Sequence, residues 1–505
     1  MSLLHLLRKF ALERPAAACL SFDDETVSFA DLHSRSSRLA HAMRAAGLGS
    51  GDRVVLIARN TPHHFELLFA CAKIGAIALP INWRLSAGEV AGIMADALPG
   101  LLLLDPGFMG LVCDIAQLPV TIDLARDYDE WRDASADADP ANEADPHAPL
   151  LLLYTSGTTG QPKGVTLSAT NLSFVERMAR EQWGFDSQSV NLLAMPLFHI
   201  GGIGYGMMAL SQGGHTVLIQ QPTPDAVFAG IDRHAVTHAF LVPAVIQMLV
   251  DAPGVEGRAL GSLKRILYGA SPISEAVLSR AIALFGCQFN HAYGMTETAG
   301  TVITLPPEDH DPGGPRAHRL RSCGLPVPWV ELALVDPATG HTVPTGEVGE
   351  IRIRSGMVMR GYWGKPEETA RTVTADGWLC TGDAAWRDTD GYVYIHDRYK
   401  DMIVSGGENI YPTEIENVLY SHPDVAEVAV IGVPHEKWGE SPRAYVVLRA
   451  SGGPDEADLI AYTRARLATY KCPTSVRLVE SLPRNASGKI LKRAMRDELW
   501  LKDPS

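Results

Sequence analysis

The chain has 505 residues, more than one hydrophobic core usually organises, so two or more domains are expected. Hydrophobic residues make up 46% and charged residues 20%, a balance that excludes wholesale disorder. The net charge of −14 excludes a general polyanion binder, so any phosphate must be held locally by a loop and a few placed cations.

Taken in chain order, Leu3, Leu4, Leu7, Phe10 and Ala11 suit one face of a first helix. Its basic residues follow the apolar stretch and no small-residue cleavage site succeeds it, so it does not read as a secretory signal. Packing on its own domain is the expected use of that face, with peripheral membrane contact left open. No apolar stretch is long enough to span a bilayer. Ser28 and Asp31 open a periodic run (Phe29, Leu32, Leu39, Met43) that Gly47 closes as a C-cap. A buried strand over Val54–Ala58, a helix over Phe65–Ile74 and a strand over Ala76–Ile81 follow. Ser86-x-x-Glu89 is a capping box for the next helix. Strands separated by helices predict layered α/β sheets with parallel pairing. The acidic Ala/Pro-rich stretch Asp133–Pro149 reads as a surface loop before a strand at Leu150–Tyr154.

Beyond about residue 325 the pattern changes. Val330–Asp336, Gly349–Arg354 and Gly391–His396 read as short strands of a β-rich subdomain. After Tyr399–Asp401 comes an α+β segment: helix Pro412–Ser421, strands Val425–Val433 and Arg443–Leu448, and helix Glu456–Ala468. The boundary is set near Lys400, giving a large domain over 1–399 and a small one over 400–505. The seven cysteines include no CxxC pair, which indicates neither a disulfide framework nor a zinc site and fits a reducing compartment. A cytoplasmic protein is expected.

The most informative stretch is Tyr154–Gly164, YTSGTTGQPKG. The hydroxyls of Thr155, Ser156, Thr158 and Thr159 alternate with Gly157 and Gly160 and precede Lys163. Glycines let backbone N–H groups turn toward an anion, hydroxyls donate to phosphate oxygens, and the lysine adds a charge. The lysine sits in Pro-Lys-Gly, so this is not a Walker loop. The bland reading, a polar surface turn, is poorly matched by so ordered a run of Gly, Ser, Thr and Lys.

Together with PLFHIGG (Pro196–Gly202), GASP (Gly269–Pro272), YGMTE (Tyr293–Glu297), TGD (Thr381–Asp383), DRYKDMIVSGGENIYP (Asp397–Pro412) and PRNASGK (Pro483–Lys489), this loop resembles the acyl-adenylate-forming superfamily. The likeness runs over essentially the whole chain. It implies a large layered α/β domain with a β-rich subdomain and a small mobile α+β C-terminal domain. It also implies ATP with Mg²⁺, coenzyme A as co-substrate, and a small-molecule carboxylic acid, in a monomer or homodimer without nucleic acid.

The resemblance assigns ATP and AMP to Thr155–Gly160, Lys163, Gly269, Ala270, Ser271 and the run His291, Ala292, Tyr293, Gly294, Met295 and Thr296. Asp383, Arg398 and Lys489 complete that set. Tyr293 offers a flat face for adenine, and Asp383 can accept from a ribose diol. Glu297, with Thr155, is assigned to the metal. Thr296, His199 and Lys489 are the catalytic candidates; the lysine stabilises charge as it builds on carboxylate and α-phosphate. The acyl pocket falls to His199, Ile200, Gly201, Gly202, Leu241, Val242, Gly269, Ala270 and Met295. Apart from His199 none can carry charge, so an apolar fatty or aryl tail is expected. Lys400 stands at the family's hinge, and Ser405, Gly406 and Gly407 line the thiol channel. Alone, several of these have plainer readings: Glu297 a surface carboxylate, Thr-Gly-Asp a turn, His199 a satisfied core histidine, Lys489 a solvated charge. The GxGxG of Gly202–Gly206 reads as close helix packing, not a dinucleotide fingerprint.

Three other readings share the motifs. A peptide-synthetase adenylation domain would be followed by a carrier domain and would place an Asp near PLFHIGG. A luciferase-like oxygenase is the second. A catalytically inactive binding homologue is the third, and intact Lys489, Glu297 and Asp383 argue against it.

Overall fold

The computed structural model of the chain describes residues 2–140, 144–155, 162–271, 273–398, 401–405, 408–435, 438–450, 452–484, 490–492 and 494–496. Side chains of 396–398, 404, 408 and 409 are not among them.

Short, largely apolar runs become the inner strands of two sheets. The seven-stranded sheet holds Arg53–Ile57, Ile77–Pro80, Leu101–Leu104 and Val120–Asp123 in parallel pairing. It continues into the antiparallel hairpin Pro149–Thr155 and Lys163–Ser168, with Gly361–Tyr362 added at its edge. The nine-stranded sheet has Val190–Leu193, His238–Leu241, Arg265–Gly269 and Gln288–Met295 at its centre, all parallel. Its antiparallel flanks are Gly300–Leu305 on one side and Glu25–Ser28 on the other. Helices fill the space between strands, as the strand–helix alternation predicts. The carboxyl ends of the central strands are where such sheets present ligand sites.

The first helix, Leu3–Glu13, buries Leu3, Leu6, Leu7 and Phe10 in the main core, with Phe10 against Phe29 at 5.4 Å. Most of its apolar face is therefore covered by its own domain. Both capping boxes, Ser28 with Asp31 and Ser86 with Glu89, are formed. The acidic stretch after Asp133 is tied down more firmly than a surface loop. Asp139 accepts from Arg8 at 2.6 Å and lies 3.7 Å from the fully buried ammonium of Lys73.

A four-stranded antiparallel sheet follows: Glu331–Val335, Gly349–Arg354, Leu379–Arg387 and Val393–Arg398. The C-terminal part is a separate α+β unit. Its strands Ile403–Ser405, Glu408–Ile410, Val425–His435, Gly439–Leu448 and Ser475–Leu478 carry helices Pro412–Tyr420 and Glu456–Arg464. Ile403, Ile415, Leu419, Val430, Val446 and Leu459 build its own core. The helix Glu456–Arg464 ends before the expected Ala468, and a 3₁₀ turn at Thr469–Lys471 follows. No helix among the described residues is long and apolar enough to cross a membrane.

Candidate active site

The strands on either side of the stretch 156–161 pair antiparallel. Thr155 ends one strand and Lys163 begins the next, paired in register, with the Thr155 hydroxyl 3.5 Å from the Lys163 carbonyl. Residues 156–161, which include Ser156, Gly157, Thr158, Thr159 and Gly160, lie outside the described residues. Lys163 is aimed by two neighbours. Its ammonium ion-pairs with Glu368 and sits 5.2 Å from the ring centroid of Tyr362. The charge of Lys163 is thereby held at one place.

Tyr362 also reaches the acidic residue. Its hydroxyl donates to the Glu297 carboxylate at 2.9 Å, and the Glu297 carbonyl accepts from the Met359 amide at 2.8 Å. Glu297 is only 8% exposed, so it is not the ordinary surface carboxylate of the plainer reading. Burial, then the neighbouring Glu297 charge, pushes the Tyr362 phenol up, which keeps it a donor. Among the described residues no group of three or more His, Cys, Asp and Glu could hold a metal unaided. One buried carboxylate fits Mg²⁺ carried by a nucleotide, because that ion takes one or two carboxylates and completes its shell with phosphates and water.

On the neighbouring strand, Tyr293 donates from its hydroxyl to Asp383 at 2.7 Å. The resemblance gives these two residues separate jobs, ring stacking and ribose binding, and the structure joins them. Asp383 is 7% exposed and its backbone pairs with Arg398, whose side chain is outside the described set. Gly382, at φ 72°, turns the chain so that Asp383 faces Tyr293, and the Thr381 hydroxyl accepts from the Asp383 amide. A carboxylate has about four lone-pair sites, more than the Tyr293 hydroxyl alone can use. Thr296 begins a 3₁₀ turn, Thr296–Thr298, directly after Met295. Ala270 takes φ 65°, half-exposed Ser271 follows it, and His291 is held by the Cys323 carbonyl at 3.4 Å.

His199 caps the helix Ile200–Ser211. Its segment is fixed by Asn60, whose amide donates to the carbonyls of Met195 and Ile219 and accepts from the Leu197 N–H. The Nε2 of His199 is buried and has no hydrogen-bond partner among the described residues. Burial, with Arg84 acting in the same direction, lowers its pKa to about 4. The imidazole is therefore neutral at pH 7, and one buried nitrogen remains for a ligand.

Beside it is a cavity of about 170 Å³ lined by Met195, Phe240, Leu241, Val242, Val245 and Arg84, among others. Leu241, Val242 and, through its contacts with Met195 and Phe240, Gly201 are thus brought to one place. At two glycines of the expected acyl pocket the missing side chain makes way for backbone. A Cβ on Gly269 would lie 2.1 Å from the Ala292 carbonyl oxygen, and one on Gly202 only 1.9 Å from that of Pro196. Both admit neighbouring backbone on the side where a Cβ would stand. Gly206 likewise abuts Leu193 and Phe65, in line with the helix-packing reading of GxGxG. The expectation of no cation near the tail is also revised: Arg84 lines the cavity, its guanidinium 4.6 Å from the Trp83 ring centroid. Lys400, Gly406, Gly407 and Lys489 fall outside the described residues, and Ser405 ends the short strand Ile403–Ser405.

Sequence reasoning passed over Tyr362, Glu368, Asn60 and Arg84. Tyr362 carried a usable signal, an aromatic in the turn-rich run Met359–Pro366; the others gain meaning only from contacts across sheets.

An adenylation site on layered α/β sheets with a separate C-terminal unit defines the class, and comparison with known proteins agrees. The family profile described as AMP-binding enzyme matches residues 7–363, and that of the AMP-binding enzyme C-terminal domain matches 414–489. The chain is 40% identical to the fatty acid–[acyl-carrier-protein] ligase ScoC of Streptomyces coeruleorubidus, over 96% of this chain and 93% of that one. It is 38% identical to the feruloyl-CoA synthase of an Amycolatopsis species, over 95% and 96%. The ATP-bound structure of MatB from Rhodopseudomonas palustris superposes with a TM-score of 0.91 at 30% identity, covering 99% of each chain. The chain belongs to the AMP-binding enzyme family, the acyl-adenylate-forming superfamily in its acyl-CoA synthetase branch, and is an AMP-forming acid–thiol ligase.

Proposed function

We propose that the protein joins a fatty or aryl monocarboxylic acid of at least medium size to coenzyme A. A carboxylate oxygen attacks the α-phosphorus of ATP in line; pyrophosphate leaves and acyl-AMP remains. The thiol, giving up its proton, then attacks the acyl carbon and AMP departs. The observation that carries the reading is the convergence on Tyr362 of the phosphate-hairpin lysine, Lys163, and the buried carboxylate Glu297. A fixed cation and a fixed anion side by side suit a nucleotide triphosphate with its counter-ion.

The family resemblance supplies the roles. Thr155, Lys163 and the loop between them hold the phosphates; Tyr293, Asp383 and Arg398 hold the nucleoside; Thr296 and neutral His199 orient the acyl group. Mg²⁺, held by Glu297 with Thr155, would draw charge from the phosphates. Lys489 stabilises the first transition state. The small unit from Lys400 onward is the part that reorients between the half-reactions, with Ser405, Gly406 and Gly407 along the thiol path. The Met195, Phe240, Leu241, Val242 and Val245 side of the cavity favours an apolar body for the acid, and the reported relatives act, by name, on fatty and feruloyl groups.

The test is AMP and pyrophosphate release over a panel of acids, with and without coenzyme A. Thiol-dependent AMP release with medium-sized acids is the expected result. Acyl-AMP formed equally well but never consumed by coenzyme A would point to another acceptor, and fastest turnover of acetate or malonate would overturn the apolar-tail reading. A second expectation concerns Tyr362→Phe, which removes the donor to Glu297 while keeping the ring. Loss of such a supporting partner costs about 10–100-fold in metal affinity or activity. The half-saturating Mg²⁺ concentration should rise about tenfold with the melting temperature nearly unchanged. An unaltered Mg²⁺ dependence would detach Glu297 from the metal.

A further inference from the structure

Lys163 already has an anion of the protein's own on its ammonium, Glu368. The Glu368 oxygen that meets it, Oε2, is buried and takes no hydrogen bond from any other described residue. The Lys163 side chain is 15% exposed and that of Glu368 29%, so water screens the pair only in part. An ordinary surface ion pair holds two mobile side chains in full solvent and contributes little. This one joins two distant stretches of chain, and the backbone fixes both partners.

Strand pairing delivers Glu368 to its place. The edge strand Gly361–Tyr362 runs antiparallel along Lys163–Ser168, and the Trp363 amide donates to the Gly164 carbonyl at 2.7 Å. The chain then enters the helix Pro366–Thr372, which Thr369 ties back to that strand. The Thr369 hydroxyl accepts from the Tyr362 amide and donates to the Lys365 carbonyl, both at 2.9 Å. Gly361, at φ 136°, lets this helix close in, since a Cβ there would stand 2.8 Å from the Thr369 methyl. Glu368 is the neighbour of Thr369 and is presented to Lys163 by this arrangement. The hydrogen bond from Lys163, opposed in part by desolvation and aided by the charges of Lys163, Lys365 and Arg371, holds the Glu368 carboxyl below the usual carboxylate range. It is an anion at neutral pH.

Resting on the assignment of Lys163 to the phosphates of ATP, we infer that Glu368 is a positioning residue that acts through Lys163. It fixes where the ammonium stands and, as a second anion on that ammonium, weakens its hold on the triphosphate and on pyrophosphate. An ammonium has three donors, so Lys163 can meet a carboxylate and a phosphate oxygen together. The two anions then share one cation at close range, and their mutual repulsion raises the energy of the bound polyphosphate. Pyrophosphate must leave in every turnover, and product release limits many enzymes. A carboxylate built in beside the lysine keeps that product from being held too tightly.

The experiment measures KM for ATP, and Kd for magnesium pyrophosphate by calorimetry, in the wild type, Glu368→Gln, Glu368→Asp and Lys163→Ala. Glutamine keeps the shape and an acceptor oxygen for Lys163 but removes the charge. Both constants are expected to fall about tenfold in Glu368→Gln, the smallest effect usual for a neighbouring charge. The difference from the wild type should shrink at high ionic strength, and KM for the acid should stay close to the wild-type value. Glu368→Asp, which keeps the charge, should lie nearer the wild type. Melting curves check folding; if Glu368→Gln is not folded, Glu368→Ala decides on the same criteria. Constants that rise, as loss of a purely structural support for Lys163 would make them, overturn the inference. So do constants that stay unchanged, or a Glu368→Asp protein that matches Glu368→Gln. Unchanged constants in Lys163→Ala would instead sink the assignment of Lys163 to the phosphates.

Discussion

Alanine at Lys489 is expected to slow acyl-AMP formation by about 10²–10³-fold, the loss typical of removing one group placed to meet charge in a transition state. Transfer of the acyl group from preformed acyl-AMP to coenzyme A should stay within a few-fold of the wild type. The contrast follows from where charge appears. In the first half-reaction negative charge accumulates on the carboxylate and α-phosphate as they join, and a lysine there lowers the barrier selectively. In the second, AMP departs already formed. The sequence places Lys489 in PRNASGK, and the strand Ser475–Leu478 brings the chain to within a few residues of that loop on the C-terminal unit. Rapid-quench measurement of each half-reaction separates the outcomes; equal losses in both would remove Lys489 from the adenylation step.

The second large effect is structural. Gly269→Leu is expected to lower the melting temperature sharply and to reduce turnover of every acid alike. The Cβ alone would stand 2.1 Å from the Ala292 carbonyl oxygen, inside the parallel pairing of Gly269 with Ala292. Backbone cannot step aside as a side-chain tip can, so the cost exceeds the usual 1–3 kcal/mol of overpacking, at about 3 kcal/mol or more. Gly201→Leu is the informative counterpart. Its neighbours are the Phe240 ring and the Met195 methyl, so the change should shift the acid profile toward smaller acids with a milder loss of stability. A Gly269→Leu protein that kept its melting temperature and shifted only its acid profile would return Gly269 to the acyl pocket.

The comparison of these two glycines indicates what the sequence can disclose. Glycine is written identically whether its missing side chain makes room for substrate or for a neighbouring carbonyl, and only strand register tells the two apart. Elements with strong local signals were legible: the capped helices at Ser28 and Ser86, the apolar strands, and the change of texture beyond residue 325. Motif order was legible too, because the chemistry constrains residue type in Tyr154–Gly164 and Tyr293–Glu297. Contacts that cross from one sheet to another were not. Tyr362 to Glu297, Tyr293 to Asp383 and Asn60 to the Met195 carbonyl join positions 65, 90 and 135 residues apart. Nothing local in the chain anticipates them.

The path of the chain around Tyr362 has a bearing on recombination between relatives. Gly349–Arg354 and Leu379–Arg387 are partners in the four-stranded sheet, yet the stretch between them departs to pair Gly361–Tyr362 with Lys163–Ser168 before returning. The sheets are laced together by that excursion. A hybrid spliced near residue 325, where the texture of the sequence changes, would inherit the excursion from one parent and its docking strand, with Lys163 and Glu297, from the other. Seams placed after Arg398 keep the lacing and the charges it aligns within a single lineage, so exchanged C-terminal units should yield folded proteins more often than exchanged β-rich segments.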